Sequence, residues 1–344
     1  MERQMGQDTL LEIVNLRVCV DSDDVSLPII DDVSLSLKAG EILALVGESG
    51  CGKSVTAQSI MRLLPKTLRI ESGQIVLHSR KQEKAIDIAR LDPRGNEIRQ
   101  IRGDEIAMIF QEPMSSFSPL HTVGNQIMEV VRIHRKATKK EARAVAVEML
   151  DKVGIPDPSR VVDQYPHELS GGMRQRGMIA KALSCDPALL IADEPTTALD
   201  VTIQAQVLSL MHDLQGEFGM AIVFITHDLG VVAQVADKVA IMYLGKIVEQ
   251  GATRHILKNP KHPYTVNLLE AVPRLGRIED RQALVPIQGS VPSLFDRPIG
   301  CPFVTRCTEA IAERCEGSIP RLSSMAEDHQ VACFLYESTE KAAV

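Results

Sequence analysis

No apolar run in the chain approaches the ~18 residues that a membrane-crossing helix needs, so no segment is expected to span a bilayer. The first eight residues, Met1 to Asp8, are polar and lack the apolar core of a secretory signal. A basic excess is missing too. The formal net charge of -7 is the wrong sign for a nucleic-acid coat, and no nucleic-acid partner is expected. There is no internal repeat, no low-complexity tract and no C-x₂-C pair of the kind that builds a zinc ribbon. Without an export signal, the seven cysteines point to reduced thiols or metal ligands before disulfides. The 344 residues suffice for one large core or two modest ones.

What the chain does contain is Gly47-Glu48-Ser49-Gly50-Cys51-Gly52-Lys53-Ser54, a match to the phosphate-binding pattern G-x-x-x-x-G-K-[ST]. Glu41 to Val46 before it reads as a buried parallel strand, and Val55 to Leu64 after it as a helix. Strand, glycine turn and helix let backbone N–H groups curl around phosphates at the positive end of a helix. Lys53 would reach the terminal phosphates and Ser54 would ligate Mg²⁺. A chance match in a glycine-bearing turn is the bland alternative, and the flanking elements argue against it.

Residues 10 to 46 are β-rich; Leu11 to Val18 alternates imperfectly and Val33 to Leu37 cleanly. Gln74 to Leu77 is a further strand, residues 78 to 104 read as an irregular charged excursion, and Ile106 to Phe110 is a buried strand stopped by Pro113. From there the pattern turns helical. Ala142, Val145, Ala146, Met149, Leu150 and Val153 share one helix face, within an inserted helical subdomain at about 113–175. Ala188 to Asp193, Ala221 to Ile225, Lys238 to Met242 and Lys246 to Glu249 are strands, and Val207, Leu210, Met211 and Leu214 line a helix between the first two. Strands alternating with helices predict an α/β sheet interrupted by a helical insertion. Past residue 258 prolines thicken, among them Pro260, Pro263, Pro273, Pro286 and Pro302, and an irregular extension 259–344 with little core of its own is expected beyond a 10–258 unit.

Asp193 and Glu194 stand at a strand's C-terminal edge, where open α/β sheets bind ligands. Solvated caps are the commoner reading of such acids. Beside a phosphate loop, Asp193 becomes a Mg²⁺ holder and Glu194 the general base for an attacking water. Ser170-Gly171-Gly172 opens a second helix: Ser170 can cap it, while a glycine pair leaves its N-terminus bare for phosphate. An ordinary cap would account for Ser170 but not for two glycines, each costing up to about 1 kcal/mol inside a helix. Two phosphate-ready termini separated by the insertion predict a head-to-tail pair of cassettes sharing two nucleotides.

Gly47–Ser54, Gln111, Leu169–Gln175, Leu189–Glu194, Ala198-Leu199-Asp200 and His227 resemble, in order, the Walker A, Q-loop, signature, Walker B, D-loop and H-loop of ABC-type ATPases. The resemblance implies a P-loop NTPase of the ABC cassette class, with a mixed core sheet, an N-terminal antiparallel β subdomain and the helical insertion. It implies ATP contacts from Gly47 to Val55, and from Ser170, Gly171, Gly172 and Asp200 across to a partner cassette. It further implies that Gln111 senses Mg²⁺ and water, and that His227 holds the γ-phosphate beside Glu194. Ala192 to Gln206, with His262-Pro263-Tyr264-Thr265, Leu268-Leu269 and Ala271-Val272-Pro273, resembles peptide-permease ATP-binding subunits, most of all the dipeptide "D" type. That implies an "F"-type second cassette, two transmembrane permease subunits, an extracytoplasmic solute-binding protein, and a peripheral place on the cytoplasmic face of the bacterial inner membrane. Nickel and glutathione importers share much of the pattern. A soluble ABC ATPase working on ribosomes or DNA would more typically carry two cassettes or a long coiled-coil insertion, and neither is present.

The family usually stacks an aromatic side chain on adenine near the end of the first strand; Val20 stands there instead. Cys19, Cys51 and Cys185 are scattered and read as small apolar residues. Cys301, Cys307, Cys315 and Cys333 cluster in the tail, and four thiolates suit a [4Fe–4S] cluster or structural Zn²⁺. Resemblance to the D subunits implies the [4Fe–4S] form, making the extension a metal-binding tail.

Overall fold

The computed structural model describes residues 8–22, 25–79, 81–111, 117–197, 199–271, 287–326 and 328–337. Residues 1–7, Pro113, Ala198, Val272, Pro273 and Pro286, all used above, lie outside them. Strands β1 (Thr9–Ser22) and β2 (Val25–Lys38) make a long antiparallel hairpin, Thr9 facing Lys38 and Ser22 facing Val25. The imperfect alternation of β1 has a physical cause. Asn15 adopts φ 46° in a bulge, so Leu11, Ile13, Leu16 and Val18 all reach the core. Gly73 lies against that bulge, and a Cβ there would sit 2.5 Å from the Asn15 carbonyl oxygen.

β3 (Ile42–Val46) feeds the phosphate loop and helix α1 (Lys53–Ile60), which ends earlier than expected because Arg62 turns the chain at φ 52°. β4 (Leu68–Ser79), β5 (Lys84–Asp87), α2 (Asn96–Ile101) and β6 (Ile106–Ile109) follow. The expected irregular excursion at 78–104 is therefore ordered. Ile86, Ile88, Ile98 and Ile101 anchor it in the core, too widely spaced among charges to show a period. β2-β1-β4-β5 forms a four-stranded antiparallel sheet.

The helical arm holds α3 (Val123–Arg135), α4 (Lys139–Lys152) and α5 (Gly171–Leu183). The break between the first two falls at Lys136, φ 52°, followed by a capping box in which Thr138 and Glu141 satisfy each other's backbone N–H. Ala142, Ala146, Met149 and Leu150 are buried against Ile127, Val131 and Met178. Then come β7 (Leu189–Asp193), α6 (Val201–Phe218), β8 (Ala221–Thr226), α7 (Leu229–Val235), β9 (Lys238–Tyr243), β10 (Lys246–Ala252), α8 (Thr253–Lys258), α9 (Pro263–Glu270), β11 (Ser323–Ala326) and β12 (His329–Val331).

The main sheet has the order β11-β12-β10-β9-β3-β8-β7-β6, parallel from β9 to β6 and antiparallel beyond β9. Every residue of β3, β7 and β8 is buried, as strands covered on both faces require. The extension shares its core with the cassette. Its β12 pairs with β10, and Tyr264 and Phe303 pack on Tyr243 with ring centroids 4.7 and 5.2 Å away. Glu249, wholly buried on β10, binds it further: its carboxylate accepts from the Lys261 and His262 N–H groups at 2.7 and 3.0 Å and pairs with His329 Nε2 at 2.7 Å. Among the described residues no helix is long and apolar enough to cross a membrane.

Candidate active site

Parallel register decides which loops meet. Val46 lies opposite Thr226 and Asp193 opposite Ile225, so the loops after β3, β7 and β8 leave the sheet at one edge. In the first of them, the space a Gly47 side chain would need is filled by the Met242 carbonyl oxygen and Cys51 Sγ. Gly50 and Gly52 hold φ 80° and 108°, a region that L side chains avoid. Ser49 and Gly50 are exposed, Cys51 is buried with its thiol pushed up by burial, and Val55 packs partly into the core below. Lys53 Nζ folds back onto the Gly47 and Glu48 carbonyls at 2.7 and 3.0 Å. No side chain caps the first turn of α1, which leaves its N–H groups for a ligand.

Asp193 is buried, which pushes its carboxyl up, while the Ser54 hydroxyl donates to it and pulls the other way. Its Oδ1 is buried without a hydrogen-bond partner, an orphan acceptor of the kind a cation satisfies. Ser54 and Asp193 thus present side by side the oxygens that Mg²⁺ prefers as ligands.

Glu194 is the hub. Its backbone sits at φ 46°, strain of order 1–3 kcal/mol for a non-glycine residue. The N–H bond to the Ile225 carbonyl at 3.0 Å pins it there. Its Oε2 accepts from Gln111 Nε2 at 3.1 Å and Thr197 Oγ1 at 2.9 Å, and Oε1 faces His227 Nδ1 at 3.2 Å. Burial pushes the carboxyl up, but the bonds from His227 and Thr197 outweigh it and hold the group below the usual carboxylate range. Glu194 is therefore ionised at neutral pH, as a general base must be.

Gln111, Glu194 and His227 are thus brought together with Asp193, Ser54 and Lys53. The remaining expected residues are engaged otherwise. Ser170 caps α5 by accepting from the Met173 N–H at 3.4 Å, the Cβ position of Gly171 opens on empty space, and a Cβ at Gly172 would lie 3.3 Å from Ile203 Cγ2. Asp200 caps α6 through the Thr202 and Ile203 N–H groups at 3.1 and 3.0 Å. Two contributors carry no role in the sequence patterns that contain them: Thr197, one turn beyond Glu194, and the buried Gln175, whose amide donates to the Pro195 carbonyl and ties α5 to the Glu194 loop.

The tail cysteines lie near one another. Cys301 and Cys315 are buried, Cys307 and Cys333 half-buried. Burial, reinforced by the neighbouring sulfurs, pushes Cys301 up to about 12 and Cys333 up to about 11. Cys301, Cys307 and Cys315 belong to an apolar cluster with Tyr264, Phe303 and Phe334. Cys315 Sγ already accepts from the Ile311 N–H at 3.3 Å. Among the described residues no group of three or more His, Cys, Asp or Glu side chains is arranged to hold a metal ion.

A phosphate loop, a Mg²⁺-ready aspartate and a gripped glutamate on one edge of this sheet define an ATP-binding cassette of the P-loop NTPase class. The comparisons agree. The family described as "ABC transporter" matches residues 30–197, and "Oligopeptide/dipeptide transporter, C-terminal region" matches 248–315. The chain is 46% identical to the dipeptide transport ATP-binding protein DppD of Bacillus subtilis, over 98% of each chain. It is 44% identical to DppD of Escherichia coli, over 94% of this chain and 96% of that one. Among solved structures, a dimeric bacterial ABC transporter cassette superposes with TM-score 0.62 at 27% identity, covering 71% of this chain and 99% of that one. The chain belongs to the family of peptide-import ATP-binding subunits of ABC transporters.

Proposed function

We infer that this chain binds ATP with Mg²⁺ and hydrolyses it in a head-to-tail pair with a second cassette, driving uptake of dipeptides or short oligopeptides. The observation that carries the reading is the Gln111–Thr197–His227 grip on Glu194 beside the phosphate loop. Gly47 to Val55 wrap the phosphates, with Lys53 at the terminal ones. Ser54, Asp193 and Gln111 would hold Mg²⁺, which neutralises developing phosphate charge when bound. Glu194 takes the proton of the attacking water, and His227 orients it and reaches the γ-phosphate. Ser170, Gly171, Gly172 and Asp200 serve the nucleotide of the opposing cassette. That geometry is supported by the related cassette, which was itself solved as a dimer.

The partners in this reading are an F-type cassette, two permease subunits that carry the pair on the cytoplasmic face of the inner membrane, and a solute-binding protein outside. Names of relatives support the peptide cargo: one 48% identical over 96% of this chain and 97% of its own is the oligopeptide transport ATP-binding protein AppD of Bacillus subtilis. Co-purification with the permeases, then uptake assays with peptides, nickel and glutathione, test the cargo. Uptake of nickel or glutathione without peptides would reassign it.

Val20 is half-buried on β1 between Leu27 and Leu68. In this reading it replaces the adenine-stacking ring with an aliphatic contact. Val20→Tyr should tighten ATP binding about five- to hundredfold and weaken GTP competition, since stacking on a base is worth ~1–3 kcal/mol. Unchanged affinity in a titration would remove Val20 from the adenine site. The finer [4Fe–4S] reading of the tail, with zinc as alternative, is supported by four neighbouring thiols and by resemblance alone. It predicts bound iron and sulfide with visible absorbance in anaerobically purified protein; metal-free or zinc-loaded protein would end it.

A further inference from the structure

Glu48 places a carboxylate inside a loop that wraps phosphates, where a second anion is repelled. Every polar group of this residue is tied down. Its carbonyl accepts from Lys53 Nζ, and its N–H donates to the Tyr264 hydroxyl of α9 at 3.0 Å. Its carboxylate takes a bidentate pair from a residue far along the chain, Arg306: Nη1 to Oε2 at 2.7 Å and Nη2 to Oε1 at 3.1 Å. The Arg306 side chain is only 3% exposed. Its Nε donates to the Gln288 carbonyl at 3.0 Å, Nη1 also reaches the Tyr243 hydroxyl at 3.4 Å, and the guanidinium lies near the Tyr243 and Phe303 rings. A buried, planar guanidinium with a partner on each of its three nitrogens is a rigid mount, and a lysine could supply only its charge.

We propose that Arg306 is a positioning residue for the phosphate loop: it holds the Glu48 carboxylate and cancels its charge beside the phosphates, while Tyr264 and Lys53 hold the Glu48 backbone. The tail thereby sets ATP affinity while leaving the chemical step to Glu194. The proposal rests on ATP binding at this loop.

The test uses the assembled transporter. Arg306→Gln should raise KM for ATP about ten- to hundredfold with kcat within about twofold, as an uncompensated carboxylate near the phosphates demands. The rise should shrink at high salt, because the repulsion is screened. Adding Glu48→Gln to that variant should return KM to within about threefold of the parent, since the offending charge is gone. An unchanged KM in Arg306→Gln, or a double variant no better than the single, overturns the proposal. If Arg306→Gln does not fold, Glu48→Gln alone decides: an unpaired cation beside the phosphates should lower KM, and an unchanged or higher KM overturns it. Failure of the parent protein to bind ATP would instead sink the function reading itself.

Discussion

Glu194→Gln is expected to retain ATP while its hydrolysis falls by about 10²–10⁴-fold, the range for losing a positioned general base. The substitution is close to isosteric, so nucleotide affinity, which depends on Lys53 and the loop glycines, should hold. The loss has two sources. An amide cannot accept the proton of the attacking water. It also upsets the grip, because the three partners at 3.1, 2.9 and 3.2 Å are arranged around two carboxylate oxygens, and one of these becomes an NH₂ group. Gln111 and Thr197 both donate to Oε2, so the glutamine must present its oxygen there and turn its amide nitrogen towards His227. Steady-state phosphate release, read beside equilibrium ATP binding, checks both halves. Turnover within about tenfold of the parent would remove Glu194 as the base.

Much of this site was legible because phosphate chemistry imposes local rules. The glycines of the 47–54 loop, the buried run before it and the Ser170 cap each sit within a few residues of what they serve. Parallel strands of similar length then force Gln111, Glu194 and His227 to one edge, and buried strands announce themselves as apolar runs. What stayed illegible depends on distant or sparse contacts. The β5–α2 region is anchored by four isoleucines among charges. The tail joins the sheet through β12, only His329–Val331, whose pairing with β10 is set by Glu249 and not by any alternation of its own. Arg306 meets Glu48 across 258 positions, a distance no motif spans.

Gly171→Asp separates the paired-cassette reading from every single-chain alternative, and ATP turnover is expected to fall by about 10²-fold or more. Nothing lies within 4 Å of the Cβ position of Gly171, so an aspartate fits without strain in this chain. At the first position of α5 it also meets the positive end of the helix, which favours an acid by about 0.3–1 kcal/mol. The variant should therefore melt no lower than the parent and should bind ATP normally as an isolated chain, since the phosphate loop is untouched. In the paired-cassette reading, its carboxylate would occupy the space of the γ-phosphate from the opposing cassette and repel it. Preserved stability with lost hydrolysis is an outcome that a merely structural glycine pair does not produce. Full activity in Gly171→Asp would mean that this helix end faces no triphosphate, and the two-cassette mechanism would fall with it.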